Sequence, residues 1–145
     1  MSYVTCRLGK LLAVRWTATP TRRDTDQLLT DTRTASEAAG GQLRLLAVIP
    51  IQEVDIPPAE VRARMQLLLP QLLANLHSID AVFEGTGVKA SLIRTLLRGM
   101  VLVSKLNFDY HFHANIQDAL RRLEVKVALD PTRTLTALRA SKIVP

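Results

Sequence analysis

The stretch VFEGTGVKASLIRTLLRG, residues 82–99, decides the fold class, because it joins a strand-like run to a helix-like run through a tight turn. The apolar run that opens it is followed by Gly85-Thr86-Gly87, and apolar residues then recur at helical spacing. Glycines permit the positive φ that a tight strand-to-helix connection requires. The stretch therefore predicts one β-α unit whose connection is the Gly-Thr-Gly turn.

The rest of the chain repeats this alternation of strand and helix. Strands are predicted at residues 3–7, 11–17, 43–49, 79–84 and 107–113. Helices are predicted after Pro20, from Pro58 with a kink or a break at Pro70, at residues 88–103 and at residues 115–123. Because strands that alternate with helices form parallel sheets, we expect an α/β fold with a mostly parallel sheet of about five strands and about four helices. The first two strands, around Gly9-Lys10, form an antiparallel hairpin at one edge.

The length of the chain indicates a single domain. A chain of 145 residues is long enough to bury a core of its own. We expect the core of the domain at about residues 9–123 and a C-terminal extension at residues 124–145. In the extension, Val125–Leu129 is predicted as a small edge strand and Thr132–Ala140 as a final helix.

Composition and charge exclude several classes of protein. The net charge of +6 is compatible with nucleic-acid binding, but the basic residues are scattered along the chain and only 4% of residues are aromatic, which disfavours it. A single cysteine, Cys6, excludes an internal disulfide framework. No apolar run is long enough to span a membrane, and no secretory signal is visible at the start. We therefore expect a cytoplasmic domain without a membrane span.

The Gly-Thr-Gly turn is a weak match to the known phosphate-binding loops. A P-loop requires two glycines separated by four residues and followed by Lys and Ser or Thr, and Lys89 comes too early for this pattern. A dinucleotide fingerprint follows the opening strand of its fold, whereas this turn follows a late strand. A tight turn is by itself a sufficient reason for the two glycines. The carboxyl ends of parallel strands are, however, also where open α/β sheets place ligands and partners.

The strand FDYHFH, residues 108–113, raises the question of a metal site. Asp109, His111 and His113 alternate along it, so their side chains share one face. Two histidines at this spacing can share a metal, but no further histidine or cysteine follows at motif spacing. The simpler interpretation is a strand near the edge of the sheet with one wet face. We therefore assign no metal and no other cofactor.

No catalytic set of residues is apparent. Ser91 lies in KASLI, which lacks the G-x-S-x-G pattern of a nucleophile elbow. Cys6 lies in a predicted strand, where a small buried residue is the simpler interpretation. We expect a domain that is not an enzyme.

The element order and three local segments resemble the STAS family, the fold of bacterial anti-sigma-factor antagonists, and especially its STAS-like branch. The segments are the opening hairpin LGKLLAVRW, the strand-turn-helix VFEGTGVKASLIRTLL and the late strand-helix FHANIQDALRRL, and the resemblance covers about residues 9–123. It implies a regulatory domain that docks on another protein through the loop and helix at residues 85–103. It also implies that a partner kinase phosphorylates a hydroxyl residue there, with Ser91 and Thr86 as the two candidates. The family's Asp-Ser-Ser-Gly-like signature is absent, since Val-Lys-Ala-Ser takes its place.

The helix after the turn supports a docking role. Residues 88–103 are apolar almost all round, whereas a helix that covers one side of a sheet needs only one apolar stripe. The surplus predicts either deep burial or a contact with another protein, with a homodimer as one form of that contact. Arg94 and Arg98, four residues apart on one face, could border such a contact. The alternative function, implied by a related STAS-like group, is the binding of a small apolar, lipid-like ligand.

Overall fold

The computed structural model describes residues 1–103, 108–127 and 130–145, without the side chains of residues 101–103 and 127. The strands are β1 (Tyr3–Leu8), β2 (Leu11–Trp16), β3 (Leu43–Pro50), β4 (Leu76–Glu84) and β5 (Asp109–His113). The helices are α1 (Arg22–Ala39), α2 (Ala59–Leu73), α3 (Val88–Val103), α4 (Ile116–Val127) and α5 (Pro131–Ala140). The α/β fold is confirmed, with five described helices where about four were expected.

The sheet follows the order of the chain, β1-β2-β3-β4-β5. β1 and β2 form the predicted antiparallel hairpin, and β2, β3, β4 and β5 are parallel to one another. Because the strand order never reverses, this sheet has no topological switch point, the place at which doubly wound sheets open a crevice for a ligand. The order of the described strands thus provides no crevice of that kind.

The two faces of the sheet carry different helices. On one face, strand residues such as Val14, Leu45 and Phe83 pack with side chains of α1, α2 and α3. On the other face, Val48 and Val82 pack with α4, α5 and the C-terminal residues. All three helices that connect consecutive parallel strands thus cover one face, and the C-terminal pair covers the other. We name the first the α1–α3 face and the second the α4–α5 face.

Local sequence signals explain the ends of α1. Thr21 is the N-cap, and its side chain accepts a hydrogen bond from the backbone of Asp24, whose carboxylate in turn accepts from the backbone of Thr21. This reciprocal pair satisfies two backbone donors that the helix leaves without partners. Gly40 ends the helix with φ of 73°, a left-handed conformation that glycine adopts without steric cost.

Two local predictions need correction. Of the two outcomes predicted at Pro70, the break is wrong, since α2 continues through Pro70 to Leu73, and the kink stays a prediction; the burial of Leu68 and Leu69 offsets the backbone hydrogen bond that a proline removes. The predicted edge strand Val125–Leu129 is wrong over its described part, because α4 continues to Val127 and Val125 is exposed. The end of that predicted strand, residues 128–129, and the start of the predicted fifth strand, Asn107, lie outside the described residues.

Candidate functional site

The α1–α3 face contains an apolar cavity. It has a volume of about 150 Å³ and lies between the strands and all three helices of that face. Its lining includes Ala47 and Ala81 from the sheet, Leu72 from α2, and Leu97 and Met100 from α3. Side chains alternate along β3 and β4, so these two alanines point toward the helices. The helices contact the sheet around them through longer side chains. Small residues in the sheet thus leave space that the helices do not fill.

A second, smaller cavity adjoins the first. Its volume is about 80 Å³, and it reaches toward the loop between β3 and α2. Five residues line both cavities: Trp16, Ile49, Met65, Leu97 and Met100. Two of the five are methionines, which are flexible and unbranched, so the partition between the cavities can move at small energetic cost. We refer to the larger space as the inner chamber and to the smaller as the outer chamber.

The Gly-Thr-Gly turn serves the connection of β4 to α3. Gly85 and Gly87 have φ of 134° and 103°, values that other residues rarely adopt. A Cβ on Gly85 would also lie 3.1 Å from the Cβ of Ile51, in the loop after β3. Backbone conformation thus requires glycine at both positions, and close approach adds a second requirement at Gly85.

The predicted regulatory residues lie at the start of α3. Thr86 is exposed in the turn, and Ser91 is exposed at the fourth position of the helix, where its backbone donates to the carbonyl of Gly87. Around them α3 is only partly buried: Ala90 and Ile93 are in the core, whereas Val88 and Leu92 are 77% and 49% exposed. The first half of α3 therefore has one exposed side and is not deeply buried.

Arg94 and Arg98 lie against aromatic rings of the sheet. The Arg94 guanidinium carbon is 5.4 Å from the centre of the Phe83 ring, and that of Arg98 is 5.3 Å from the centre of the Phe112 ring. Such contacts between a cation and a ring are worth about 0.5–1 kcal/mol at exposed sites. Both side chains thus contribute to holding α3 on the sheet. Their predicted role at a partner contact stays a prediction.

The α4–α5 face contains a buried carboxylate. Asp80 of β4 is fully buried, and its Oδ1 accepts from Nε of Arg122 at 2.9 Å and from Nε2 of His113 at 2.8 Å. Arg122 also donates to Asp109, which is 2.6 Å from the ring of His111. Burying a carboxylate without a partner costs free energy of folding, and the two donors offset that cost at Asp80. The network joins β4, β5 and α4.

The pKa of Asp109 is lower than usual. Burial by itself raises the pKa of this carboxyl group, but the hydrogen bond and charge of His111 and the charge of Arg122 together outweigh burial. The ionised form is thus the one that the folded protein stabilises at this position.

The predicted arrangement of β5 side chains is observed. Asp109, His111 and His113 share the α4–α5 face, and Tyr110 and Phe112 pack on the opposite one. Each histidine contacts a different carboxylate, His111 that of Asp109 and His113 that of Asp80. Among the described residues, no group of three or more potential ligands is placed to hold a metal ion.

Sequence reasoning missed the role of Asp80 and Arg122. The signal was a lone acidic residue within IDAVF, an otherwise apolar strand in the interior of the sheet. A carboxylate at such a position requires a cationic partner nearby, and several basic residues of the chain are candidates, of which the fold brings Arg122 to Asp80. The alternative function implied an apolar pocket between sheet and helices, but sequence reasoning named none of the residues that line it, among them the two alanines of β3 and β4.

Comparison of the chain with family models, curated proteins and solved structures finds no match. In the ranges 1–103, 108–127 and 130–145, no helix combines the length and apolar character needed to cross a membrane. Function is therefore argued from the geometry of the cavity and of α3.

Proposed function

We propose that this domain binds a small apolar molecule in the inner chamber. The observation that carries the proposal is the chamber itself, a space of about 150 Å³ between the sheet and α1–α3. An apolar cavity of this size in a protein core stays dry and accepts a molecule such as benzene. This function is the alternative that the sequence resemblance implies, and the cavity supports it.

The energetics favour an occupant. Protein interiors are close-packed, and apolar side chains that line an unfilled space lack contacts on that side. A ligand that fills the space would recover contacts that the lining side chains otherwise lack.

Trp16 allows a direct test, because it is the single tryptophan of the chain and lines both chambers. We expect titration with 1-decanol or toluene to change Trp16 fluorescence with saturation and to raise the melting temperature, since a ligand of the native state stabilises it. Ala47→Leu, which places added atoms in the chamber, should weaken binding at least tenfold. Ala63→Leu adds the same atoms on the exposed side of α2 and should leave binding unchanged.

Two results would refute the proposal. One is the absence of saturable binding to the wild-type protein. The other is equal binding by Ala47→Leu and Ala63→Leu when both melt cooperatively, because the probe would then occupy another place. If Ala47→Leu does not fold, Ala81→Val, with a smaller addition to the same lining, takes its place.

A second candidate function is docking of a partner protein on α3. The observation in its favour is the exposure of Val88 and Leu92, one turn apart, on either side of exposed Ser91. This proposal follows from the STAS-like resemblance of the sequence, in which a phosphate near the helix start would change a docking face. An added phosphate brings bulk and about two negative charges to that face.

The docking proposal is tested with two surface variants. Leu92→Glu and Ser91→Asp should each reduce association with a regulatory partner or with a second copy of the chain, measured by pull-down from native lysate and by sedimentation. Thr95→Asp, one turn beyond Ser91 and also exposed, is the control for added charge. An unchanged set of associated proteins in both variants would remove the support for this function.

A further inference from the structure

We infer that the ligand of the chambers is an amphipathic monocarboxylate, with its carboxylate on Arg62 and its apolar body in the inner chamber. The inference rests on the proposed function and adds the chemical class of the ligand. It is carried by the position of one arginine at the outer chamber and by one guanidinium nitrogen of that arginine, which has no partner among the described residues.

Arg62 lies near the start of α2 and lines the outer chamber. Its Nε is buried and has no hydrogen-bond partner in the described part of the chain. A buried donor without a partner costs about 1–3 kcal/mol, more for a charged group, so proteins rarely leave one in place. An acceptor supplied by a ligand would satisfy it.

The contrast with Arg64, two residues further along α2, shows that the helix can pair its arginines. Nε of Arg64 donates to Asp26 of α1 at 2.8 Å, forming an ion pair on the surface between the two helices. Within the described residues, Arg62 has no such acidic partner. The two arginines thus differ in that one faces a carboxylate of the protein and the other faces an apolar space.

The charges around the outer chamber restrict which head group the ligand can have. Asp55 also lines this chamber, and Nζ of Lys89 lies 2.6 Å from its carboxylate. With Asp55 neutralised by Lys89, Arg62 remains as one net positive charge. A planar carboxylate matches the fork of a guanidinium, and its single negative charge balances the single positive charge that remains, whereas a doubly charged phosphate would leave one charge uncompensated.

The volumes of the two chambers limit the size of the apolar part of the ligand. A cavity like the inner chamber accepts the six carbons of benzene, and the outer chamber adds about half that space, which gives a body of about eight to ten carbons by proportion. Both chambers share Leu97 and Met100 in their linings, so one chain can run from the inner chamber past Met100 toward Arg62. Medium-chain fatty acids fit this description.

The experiment compares decanoate with 1-decanol, two probes of the same chain length that differ in the head group. Binding is measured by Trp16 fluorescence and by calorimetry, below the concentration at which decanoate forms micelles. Because hydrogen bonds to charged groups contribute more than neutral ones, we expect wild-type protein to bind decanoate about tenfold more tightly than decanol. Arg62→Gln should remove this preference and leave decanol binding within about twofold. Arg64→Gln, the matched control on the same helix, should keep the preference.

The outcomes separate this inference from the proposed function. Decanol binding without a preference for decanoate overturns the carboxylate assignment and leaves the apolar chamber intact. A preference that persists in Arg62→Gln also overturns it, because another group would then hold the head. Binding of neither probe overturns the proposed function and the inference together. Tighter binding of decyl phosphate than of decanoate would show that a dianion is preferred and refute the monocarboxylate class.

Discussion

The two faces of the sheet are packed differently. On the α4–α5 face, Leu123, Leu138 and Ile143 are fully buried, and the same face accommodates the carboxylate of Asp80 with its two donors. On the α1–α3 face the strands line the two chambers mainly with apolar side chains, and space remains between Ala81 and Leu97. One face is filled and contains a buried charge, whereas the other is apolar and holds spare volume. The α4–α5 face thus contributes packing and a buried charge, and the α1–α3 face contains the space for the proposed ligand.

The largest expected effect tests the difference in packing. Leu123→Ala, on α4, should lower the free energy of unfolding by about 4 kcal/mol, because it removes buried contacts and leaves a cavity in a filled region. Leu97→Ala, on α3, should cost roughly 1–2 kcal/mol, since it enlarges a space that already exists and Leu97 is only partly buried. Urea denaturation measures both values. Equal losses would show that the two faces are packed alike.

The next effect tests the buried charge. Arg122→Ala should destabilise the protein by about 3 kcal/mol, because Asp80 would keep only His113 as a partner. Arg121→Ala changes the neighbouring arginine, which is exposed and 3.8 Å from Asp118, and should cost at most about 0.5 kcal/mol. The same urea measurement serves both variants. A loss of similar size in the two would mean that the network around Asp80 does not stabilise the α4–α5 face.

The smallest expected effect concerns pH. Because the pKa of Asp109 is lower in the folded protein than its ordinary value of 3.8, the ionised carboxylate stabilises the fold above that value, and this stabilisation is lost as the pH falls toward the folded pKa. Asp109→Asn should therefore cost less than about 1 kcal/mol near pH 6, in keeping with a half-exposed pair. The difference from wild type should shrink toward pH 3. Urea midpoints at several pH values measure it, and a constant difference would contradict the assignment.

The sequence contained most of the information on the elements of the fold. Thr21, Gly40 and the Gly-Thr-Gly turn are local signals whose physics acts within a few residues, and the elements that they delimit are observed as predicted. One exception is the end of α4, where Val125 and Val127 alternate with charged residues in a strand-like pattern. That pattern is weak over so few residues, and strand propensity depends on having a neighbouring strand to pair with.

The candidate sites depended on information that a single sequence does not hold. The alternation of Asp109, His111 and His113 was visible, but the placement of His113 against Asp80 depends on the register between β4 and β5. The chambers depend on the distance between α3 and the sheet, which side-chain volumes on three helices decide together. Arg62 and Arg64 look equivalent in the sequence, and only the position of Asp26 on a different helix separates them.

The order of the strands has a consequence for how the chain acquires its structure. Each strand of the sheet pairs with the strand that precedes it in the chain, so a growing polypeptide can add each β-α unit to a sheet edge that already exists. Contacts between near neighbours in sequence close small loops and favour rapid folding. The last step is different, since Ile143 must return to the first hairpin, where its carbonyl accepts a hydrogen bond from Arg15 at 3.3 Å. Synthesis from the N-terminus would therefore assemble the sheet strand by strand, and the contact of Arg15 with Ile143 would form only after all five strands had been made.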